Sequence, residues 1–159
     1  MRYAFSKRGK EKEVGILVVD DDTGTINALR ASLMSHGYQV WVAKDGSQAL
    51  GMLSGLKKNR SRVDVMLTDL RMPGMDGLEL IRQSRRKHPE LAIVLMTAFG
   101  GDHLNQEAQL LGFVYLEKPF KPERLVEIIR EQPIHGGSLG SVLEGESHQV
   151  SNKKGIVAV

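Results

Sequence analysis

Acidic side chains follow two apolar segments of this chain, and a lysine follows a third. Asp20, Asp21 and Asp22 come after the run GILVV, Asp69 ends the run VDVMLT, and Lys118 follows FVYLE. The carboxyl ends of parallel strands meet at one edge of a sheet, which is where ligands bind in open α/β folds. Carboxylates are the ligands that Mg²⁺ prefers, and a lysine is a phosphate-binding cation. The pattern therefore indicates a divalent-metal and phosphoryl-transfer site.

The segments that would position these groups alternate regularly. Short runs rich in branched apolar residues are followed by segments whose apolar residues recur at helical spacing. Predicted strands cover 16–20, 38–43, 63–68, 91–96 and 113–116, and the last three predicted helices cover 77–87, 102–111 and 122–131. Asp22 and Asp76 are predicted to cap helices, and Pro122 to lie in the first turn of the last one. Five successive β-α units predict an α/β fold with a doubly wound, five-stranded parallel sheet.

Composition excludes several classes of protein. The chain has 159 residues, no cysteine and a formal net charge of +3. Disulfide frameworks and zinc-thiolate sites are thereby excluded, and no apolar run approaches the roughly 20 residues of a membrane span. The basic runs 57–62 and 85–87 lack interleaved aromatic residues, so we interpret them as solvated helix ends. We expect a cytoplasmic protein with no direct contact to nucleic acid or membrane in this part of the chain.

The chain divides into three parts by composition. Residues 1–13 are interpreted as a flexible charged leader, 14–131 as the domain, and 132–159 as a tail containing glycine and serine. The final residues, GIVAV, have the composition of a strand. Two interpretations stay open: a linker entering a truncated output domain, or a tail that packs on the domain or on a second copy.

Four motifs occur in order and at fitting intervals. They are ILVVDDD (16–22), DVMLTDLRMPGMDG (64–77), VLMTA (94–98) and YLEKPF (115–120). Together they resemble the CheY-like receiver domain of two-component response regulators over about 14–131. The resemblance implies a flavodoxin-like (βα)5 fold that accepts a phosphoryl group from a sensor histidine kinase or a histidine phosphotransfer protein. It also implies a switch rather than an enzyme, with only self-catalysed phosphorylation and slow autodephosphorylation.

The resemblance assigns a role to each group at the strand ends. Asp69 would be the phospho-acceptor, since a carboxylate can hold a phosphoryl group as an acyl phosphate. Asp21, Asp69 and the backbone carbonyl of Arg71 would bind Mg²⁺ (or Mn²⁺) directly. Asp20 would act through a bound water, and Lys118 would contact the phosphoryl oxygens.

A second group of residues would form the switch. The hydroxyl of Thr97 would donate to a phosphoryl oxygen, and Ala98 would keep the following loop small. Tyr115, expected near the outer face of the fifth strand, would fill the space behind the hydroxyl. The resemblance implies a cis bond before Pro119. Phosphorylation would change the surface of the fourth helix, fifth strand and fifth helix, through which a homodimer could form.

Three other functions are compatible with parts of the sequence. A phosphatase of the haloacid-dehalogenase type also uses an Asp-x-Asp pair, and Asp20 and Asp22 have that spacing. That pattern expects Thr or Val where Gly24 stands, and no cap insertion is visible. A scaffold that binds a partner without phosphorylation is a further alternative. A nucleic-acid-binding module would need a helix-turn-helix, and none is convincing after the domain.

Overall fold

The computed structural model describes residues 13–59, 61–134 and 156–157. Predicted boundaries agree with the observed ones to within one or two residues. The elements are β1 (Gly15–Val19), α1 (Thr23–Ser35), β2 (Gln39–Ala43), α2 (Gly46–Lys58), β3 (Val65–Asp69), α3 (Gly77–Lys87), β4 (Ala92–Thr97), α4 (Asp102–Leu111), β5 (Val114–Glu117), α5 (Pro122–Glu131) and β6 (Ile156–Val157). Among these helices none is both long and apolar enough to cross a bilayer.

All the strands belong to one sheet, in the order β2-β1-β3-β4-β5-β6. The first five strands are parallel, as predicted. The strand order reverses between β1 and β3, so the carboxyl ends of these two neighbours lie at the place where open α/β sheets bind ligands. The sheet therefore positions Asp20 and Asp69 side by side.

The prediction of a five-stranded sheet omitted β6, which pairs antiparallel with the edge strand β5. Tyr115 lies opposite Val157, and Leu116 lies opposite Ile156. A two-residue strand carries too short a pattern to be assigned from sequence. Both interpretations of the tail, a linker into a further domain or a tail that packs on the domain or on a second copy, stay predictions. The leader up to residue 12 and the tail residues 135–155 and 158–159 lie outside the described residues.

Two apolar layers hold the helices against the sheet. Successive side chains of a strand point to opposite faces, so β1 contributes Leu17 and Val19 to one layer and Ile16 and Val18 to the other. The first layer includes residues of α2, α3 and α4, and the second includes residues of α1 and α5. Since β1 is buried along its whole length and β3 is buried up to Asp69, the strands that carry the acidic groups are packed on both faces.

Aspartates cap three of the helices. Asp22 Oδ2 accepts hydrogen bonds from the backbone N–H (2.8 Å) and the hydroxyl (2.6 Å) of Thr25 at the start of α1. Asp45 caps α2, and Asp76 Oδ1 accepts from the N–H of Glu79 at 2.9 Å in α3. The predicted caps at Asp22 and Asp76, and Pro122 in the first turn of α5, are confirmed. Asp22 thus serves α1 rather than an Asp-x-Asp catalytic pair.

Arg85 belongs to the basic run that was predicted to be a solvated helix end, but in the structure it connects three elements. Its guanidinium donates to four backbone carbonyls at 2.7–2.9 Å, those of Leu111, Pro89, Leu91 and Gly112. Burial lowers the pKa of Arg85. A guanidinium offers five N–H donors in a fixed geometry, which a lysine ammonium does not reproduce. Arg85 therefore ties the end of α3 to the end of α4 and to the residues before β4.

We expect Arg85→Met to lower the free energy of unfolding by about 2 kcal/mol, since it leaves partly buried carbonyls without donors. Arg85→Lys should recover less than half of that loss. Arg86→Met, an exposed neighbour on the same helix, is the control and should change stability by less than about 0.5 kcal/mol. Urea unfolding followed by circular dichroism measures these values. Equal effects of the Arg85 and Arg86 substitutions would contradict the role given to Arg85.

His88 lines a cavity of about 370 Å³ at the opposite edge of the sheet, together with Lys57, Arg62 and Glu90 among others. Burial lowers its pKa from 6.5, and the charge of Lys57 lowers it further. Above pH 6.5 the imidazole is neutral in both the folded and the unfolded chain, and its contribution to stability is fully present. Below that pH the unfolded chain takes up the proton first, so stability falls as the pH approaches the folded-state pKa.

We expect His88→Gln to remove part of the stability loss between pH 7.5 and pH 5, because glutamine does not titrate. His103→Gln, an exposed substitution on α4, should keep the wild-type slope. Urea unfolding at a series of pH values gives the slopes. A wild-type slope in the His88→Gln protein would show that other groups cause the acid sensitivity.

Candidate functional site

Three carboxylates meet at the carboxyl ends of β1 and β3. Asp20 and Asp21 follow β1, Asp69 is the last residue of β3, and one oxygen from each lies within 4.8 Å of the others. The pairing of Val19 with Thr68 places the two strand ends level. Asp20 is 2% exposed, the side chain of Asp69 is 13% exposed, and Asp21 is at the surface. The site is therefore a shallow acidic pocket with one buried wall.

Asp20 occupies an electrostatically costly position. Its Oδ1 accepts the N–H of Asp22 at 2.9 Å, whereas its Oδ2 is buried without a hydrogen-bond partner. Burial raises the pKa of Asp20, and the charges of Asp69 and Asp21 raise it further, although the Asp22 N–H and Lys118 act in the opposite direction. A buried carboxylate oxygen with no partner is unfavourable unless a cation or a water reaches it.

This donor set fits a hard divalent cation. Mg²⁺ and Mn²⁺ bind carboxylate and carbonyl oxygens, and Mg²⁺ usually keeps several waters. The Oδ2 of Asp20, which has no hydrogen-bond partner, is suited to such a water or ion. Arg71, the predicted carbonyl ligand, lies two residues beyond Asp69. It is exposed at the beginning of the loop between β3 and α3.

Lys118 supplies the positive charge of the site. Its Nζ lies 2.9 Å from Asp69 Oδ1 and 3.9 Å from Asp20 Oδ2. The backbone N–H of Lys118 donates to the carbonyl of Thr97 at 2.7 Å, which continues the pairing of β4 with β5. The bond between Lys118 and Pro119 is cis, as the resemblance implied. The structure thus brings the predicted acceptor, the acidic pair and the lysine together.

The predicted switch residues lie around the end of β4. Thr97 is 3% exposed, and its hydroxyl donates to the carbonyl of Phe99 at 3.0 Å and accepts from the N–H of Phe99 at 3.2 Å. Ala98 is exposed. The hydroxyl of Thr97 is therefore held within its own loop, because its hydrogen is donated to the carbonyl of Phe99.

Tyr115 differs from its predicted position near the outer face of β5. Its side chain is 2% exposed and packs in the same apolar layer as Leu104 and Ala108 of α4. Its hydroxyl donates to Asn105 Oδ1 at 2.7 Å. Burial raises the pKa of Tyr115, and Glu117 is one of the carboxylates that raise it further. The prediction was wrong because α4 closes over the ring and supplies a partner for its hydroxyl.

Several residues that shape the site are not indicated by the sequence patterns. A Cβ on Gly77 would overlap the carbonyl oxygen of Asp69, so only glycine lets α3 begin this close to the acceptor. Glu117 Oε1 accepts the N–H of Gly100 at 2.9 Å, and Asn105 holds Tyr115. The motif YLEKPF contains Glu117, but nothing in its spacing indicates a partner 17 residues away.

Comparisons with known proteins agree with this site. A family model described as the response regulator receiver domain matches residues 16–130. Response regulator MprA of Mycobacterium leprae is 40% identical over 118 residues, which cover 72% of this chain and 49% of that protein. Sporulation initiation phosphotransferase F of Bacillus subtilis is 31% identical over 117 residues, covering 73% and 90%. A crystal structure of a response regulator receiver protein from Pseudomonas putida has a TM-score of 0.68 and 29% identity, covering 76% and 98%.

The chain therefore belongs to the family of response regulator receiver domains, whose role in two-component signalling is to accept a phosphoryl group. Receivers of this family generally depend on Mg²⁺ and interact with histidine kinases or phosphotransfer proteins. The chain spans only 26% of another relative, the transcriptional regulatory protein GlrR of Escherichia coli K12, at 34% identity over 119 residues.

Proposed function

We propose that this receiver accepts a phosphoryl group on Asp69 from a sensor histidine kinase or a histidine phosphotransfer protein. The observation that carries the proposal is the position of Asp69, whose Oδ1 lies 2.9 Å from Lys118 Nζ and whose carboxylate belongs to the three-carboxylate cluster. A nucleophilic carboxylate, an acidic pocket for a cation and a lysine are the parts that phosphoryl transfer to an aspartate requires.

In the proposed reaction an oxygen of Asp69 forms a bond to phosphorus. The phosphorus–nitrogen bond of the phosphohistidine breaks, and its electron pair stays on the imidazole nitrogen. The product is neutral imidazole because its one proton is either already on the other ring nitrogen or is taken from water by the departing nitrogen. When bound, Mg²⁺ or Mn²⁺ would offset the negative charges of the two reacting groups. Its proposed ligands are Asp21, Asp69 and the carbonyl of Arg71, with Asp20 acting through water. Lys118 would leave its contact with Asp69 Oδ1 and bind a phosphoryl oxygen.

The proposed output is a conformational switch rather than catalytic turnover. Thr97 would give up its bond to Phe99 and donate to the phosphoryl group, which would bias the loop before α4 and the ring of Tyr115. The surface formed by α4, β5 and α5 would then change, and a homodimer through this surface is one proposed outcome. We further propose a cytoplasmic location, no direct contact to nucleic acid in this part of the chain, and an effector that responds to the switch.

Incubation with acetyl phosphate and MgCl₂, followed by intact-mass measurement, tests the proposed function. We expect one phosphoryl group per chain, lost on treatment with hydroxylamine because an acyl phosphate is attacked at its carbonyl. EDTA should prevent labelling. Absence of both labelling and a beryllofluoride adduct would instead favour a scaffold that works without phosphorylation. Sustained hydrolysis of a simple phosphomonoester would favour a phosphatase.

A further inference from the structure

The loop 98–101, between β4 and α4, is attached to β5 through the carboxylate of Glu117. The backbone N–H of Gly100 donates to Glu117 Oε1 at 2.9 Å. Thr97 pairs with Glu117 in the register of β4 and β5, so the carboxylate starts level with the end of β4 and reaches along the loop. A hydrogen bond from a backbone N–H to a carboxylate is among the stronger kinds in proteins.

The contact leaves no space for a side chain at position 100. A Cβ at this position would overlap Glu117 Oε1 and would lie 2.8 and 2.9 Å from Cε2 and the hydroxyl oxygen of Tyr115. The backbone of Gly100 therefore lies directly against the carboxylate and the buried ring. Because the φ of Gly100 is not in the positive region, the close approach, and not backbone conformation, is what requires glycine here.

Hydrogen bonds thus attach the region around α4 to β5: Glu117 Oε1 accepts the N–H of Gly100 in the loop, and the hydroxyl of Tyr115 donates to Asn105 Oδ1. The Thr97 hydroxyl hydrogen-bonds to Phe99 of the same loop. The orientation of the Thr97 hydroxyl consequently depends on the path of the loop, and Glu117 holds this path from the neighbouring strand by its bond to Gly100.

We propose that Glu117 is a positioning residue, a latch that holds the loop 98–101 on β5 next to the ring of Tyr115, so that the Thr97 hydroxyl can turn from Phe99 to the phosphoryl group while its loop stays in place. This rests on the proposed function, because it concerns the group that Thr97 would contact. Glu117 touches neither the carboxylate cluster nor the phosphoryl group in this role; it acts through Gly100. Its loss leaves the acceptor intact and removes the anchoring of the loop.

The first test measures hydrogen exchange at the Gly100 amide by NMR, without metal or phosphodonor. Glu117→Ala should accelerate exchange about tenfold, the effect of losing one charge-assisted hydrogen bond. Glu117→Gln should restore protection because its amide oxygen can accept the same bond. Gly100→Ala should disrupt the latch from the other side, seen as exchange at residue 100 and movement of the Tyr115 ring signals. Glu131→Ala, an exposed substitution at the end of α5, should have no effect.

The second test titrates beryllofluoride with MgCl₂ present. Glu117→Ala should bind the probe about tenfold more weakly than wild type, and Glu117→Gln should bind almost as well as wild type. In a double-mutant cycle with Thr97→Ala, the two losses should not add, since both remove the same contact. Additive losses would overturn the coupling to Thr97, and unchanged Gly100 exchange in Glu117→Ala would overturn the latch itself. Absence of wild-type binding would overturn the proposed function and the coupling, and the exchange data would still decide the latch.

Discussion

Asp69→Asn should abolish labelling by acetyl phosphate, with less than about 1% of the wild-type signal remaining, because an amide oxygen is too weak a nucleophile to form an acyl phosphate. The substitution preserves shape, and the amide oxygen can still accept the hydrogen bond that Lys118 Nζ gives to Asp69 Oδ1 at 2.9 Å. We therefore expect a folded protein in which only the transfer chemistry is lost. Intact-mass measurement before and after hydroxylamine treatment quantifies the acyl phosphate.

Asp45→Asn is a matched control for this experiment. Asp45 Oδ1 accepts the N–H of Gln48 at 2.7 Å as the cap of α2, and asparagine caps helices about as well as aspartate. This variant removes a carboxylate outside the acidic cluster and should label like wild type. Hydroxylamine-sensitive labelling of the Asp69→Asn protein at the wild-type level would move the acceptor to another carboxylate, with Asp20 and Asp21 as the neighbours to examine.

The sequence was sufficient for the parts of the site that backbone geometry determines. Alternating apolar and amphipathic segments predict a parallel sheet, and a parallel sheet brings the residues after β1 and β3 to the same edge. The position of Asp20 and Asp69 at one edge follows from this arrangement alone, whereas their adjacency also requires β1 and β3 to be neighbours, as the structure shows. The caps at Asp22 and Asp76 could also be predicted from the sequence, because a capping residue and the N–H whose hydrogen bond it accepts are only a few positions apart in the chain.

Contacts that depend on how the helices pack could not be predicted from the sequence. The burial of Tyr115 requires α4 to lie over β5 with Asn105 facing the ring, and no local pattern encodes that angle. Arg85 belongs to a basic run that suggests solvent exposure, yet its partners include the carbonyls of Leu111 and Gly112, 26 and 27 residues away. The contact of Glu117 with Gly100 could not be predicted for the same reason. It joins β5 to the loop before α4, and the two segments are neighbours only because β4 and β5 pair in the folded sheet.

The charge arrangement at the acidic pocket predicts opposite effects of one substitution on stability and on metal binding. Asp20 Oδ2 is buried without a hydrogen-bond partner, and the nearby carboxylates of Asp69 and Asp21 add to the cost of its charge. We expect Asp20→Asn to raise the free energy of unfolding by about 1 kcal/mol in EDTA, since it removes a buried charge and keeps the oxygen that accepts the Asp22 N–H. Wild type should gain thermal stability with increasing MgCl₂, and the variant should gain almost none.

Asp64→Asn separates this effect from that of removing any buried aspartate. Asp64 is 7% exposed, its Oδ1 lies 2.8 Å from Arg62 Nε, and its Oδ2 accepts the N–H of Gly15 at 2.9 Å. Its replacement should lower stability by about 2 kcal/mol, because a compensated charge pair is broken, and should leave the response to MgCl₂ unchanged. Thermal unfolding of the three proteins with EDTA and with MgCl₂ measures both quantities. An Asp20→Asn protein less stable than wild type in EDTA would show that Lys118 and the Asp22 N–H outweigh the repulsion, and a retained response to MgCl₂ would exclude Asp20 from the metal site.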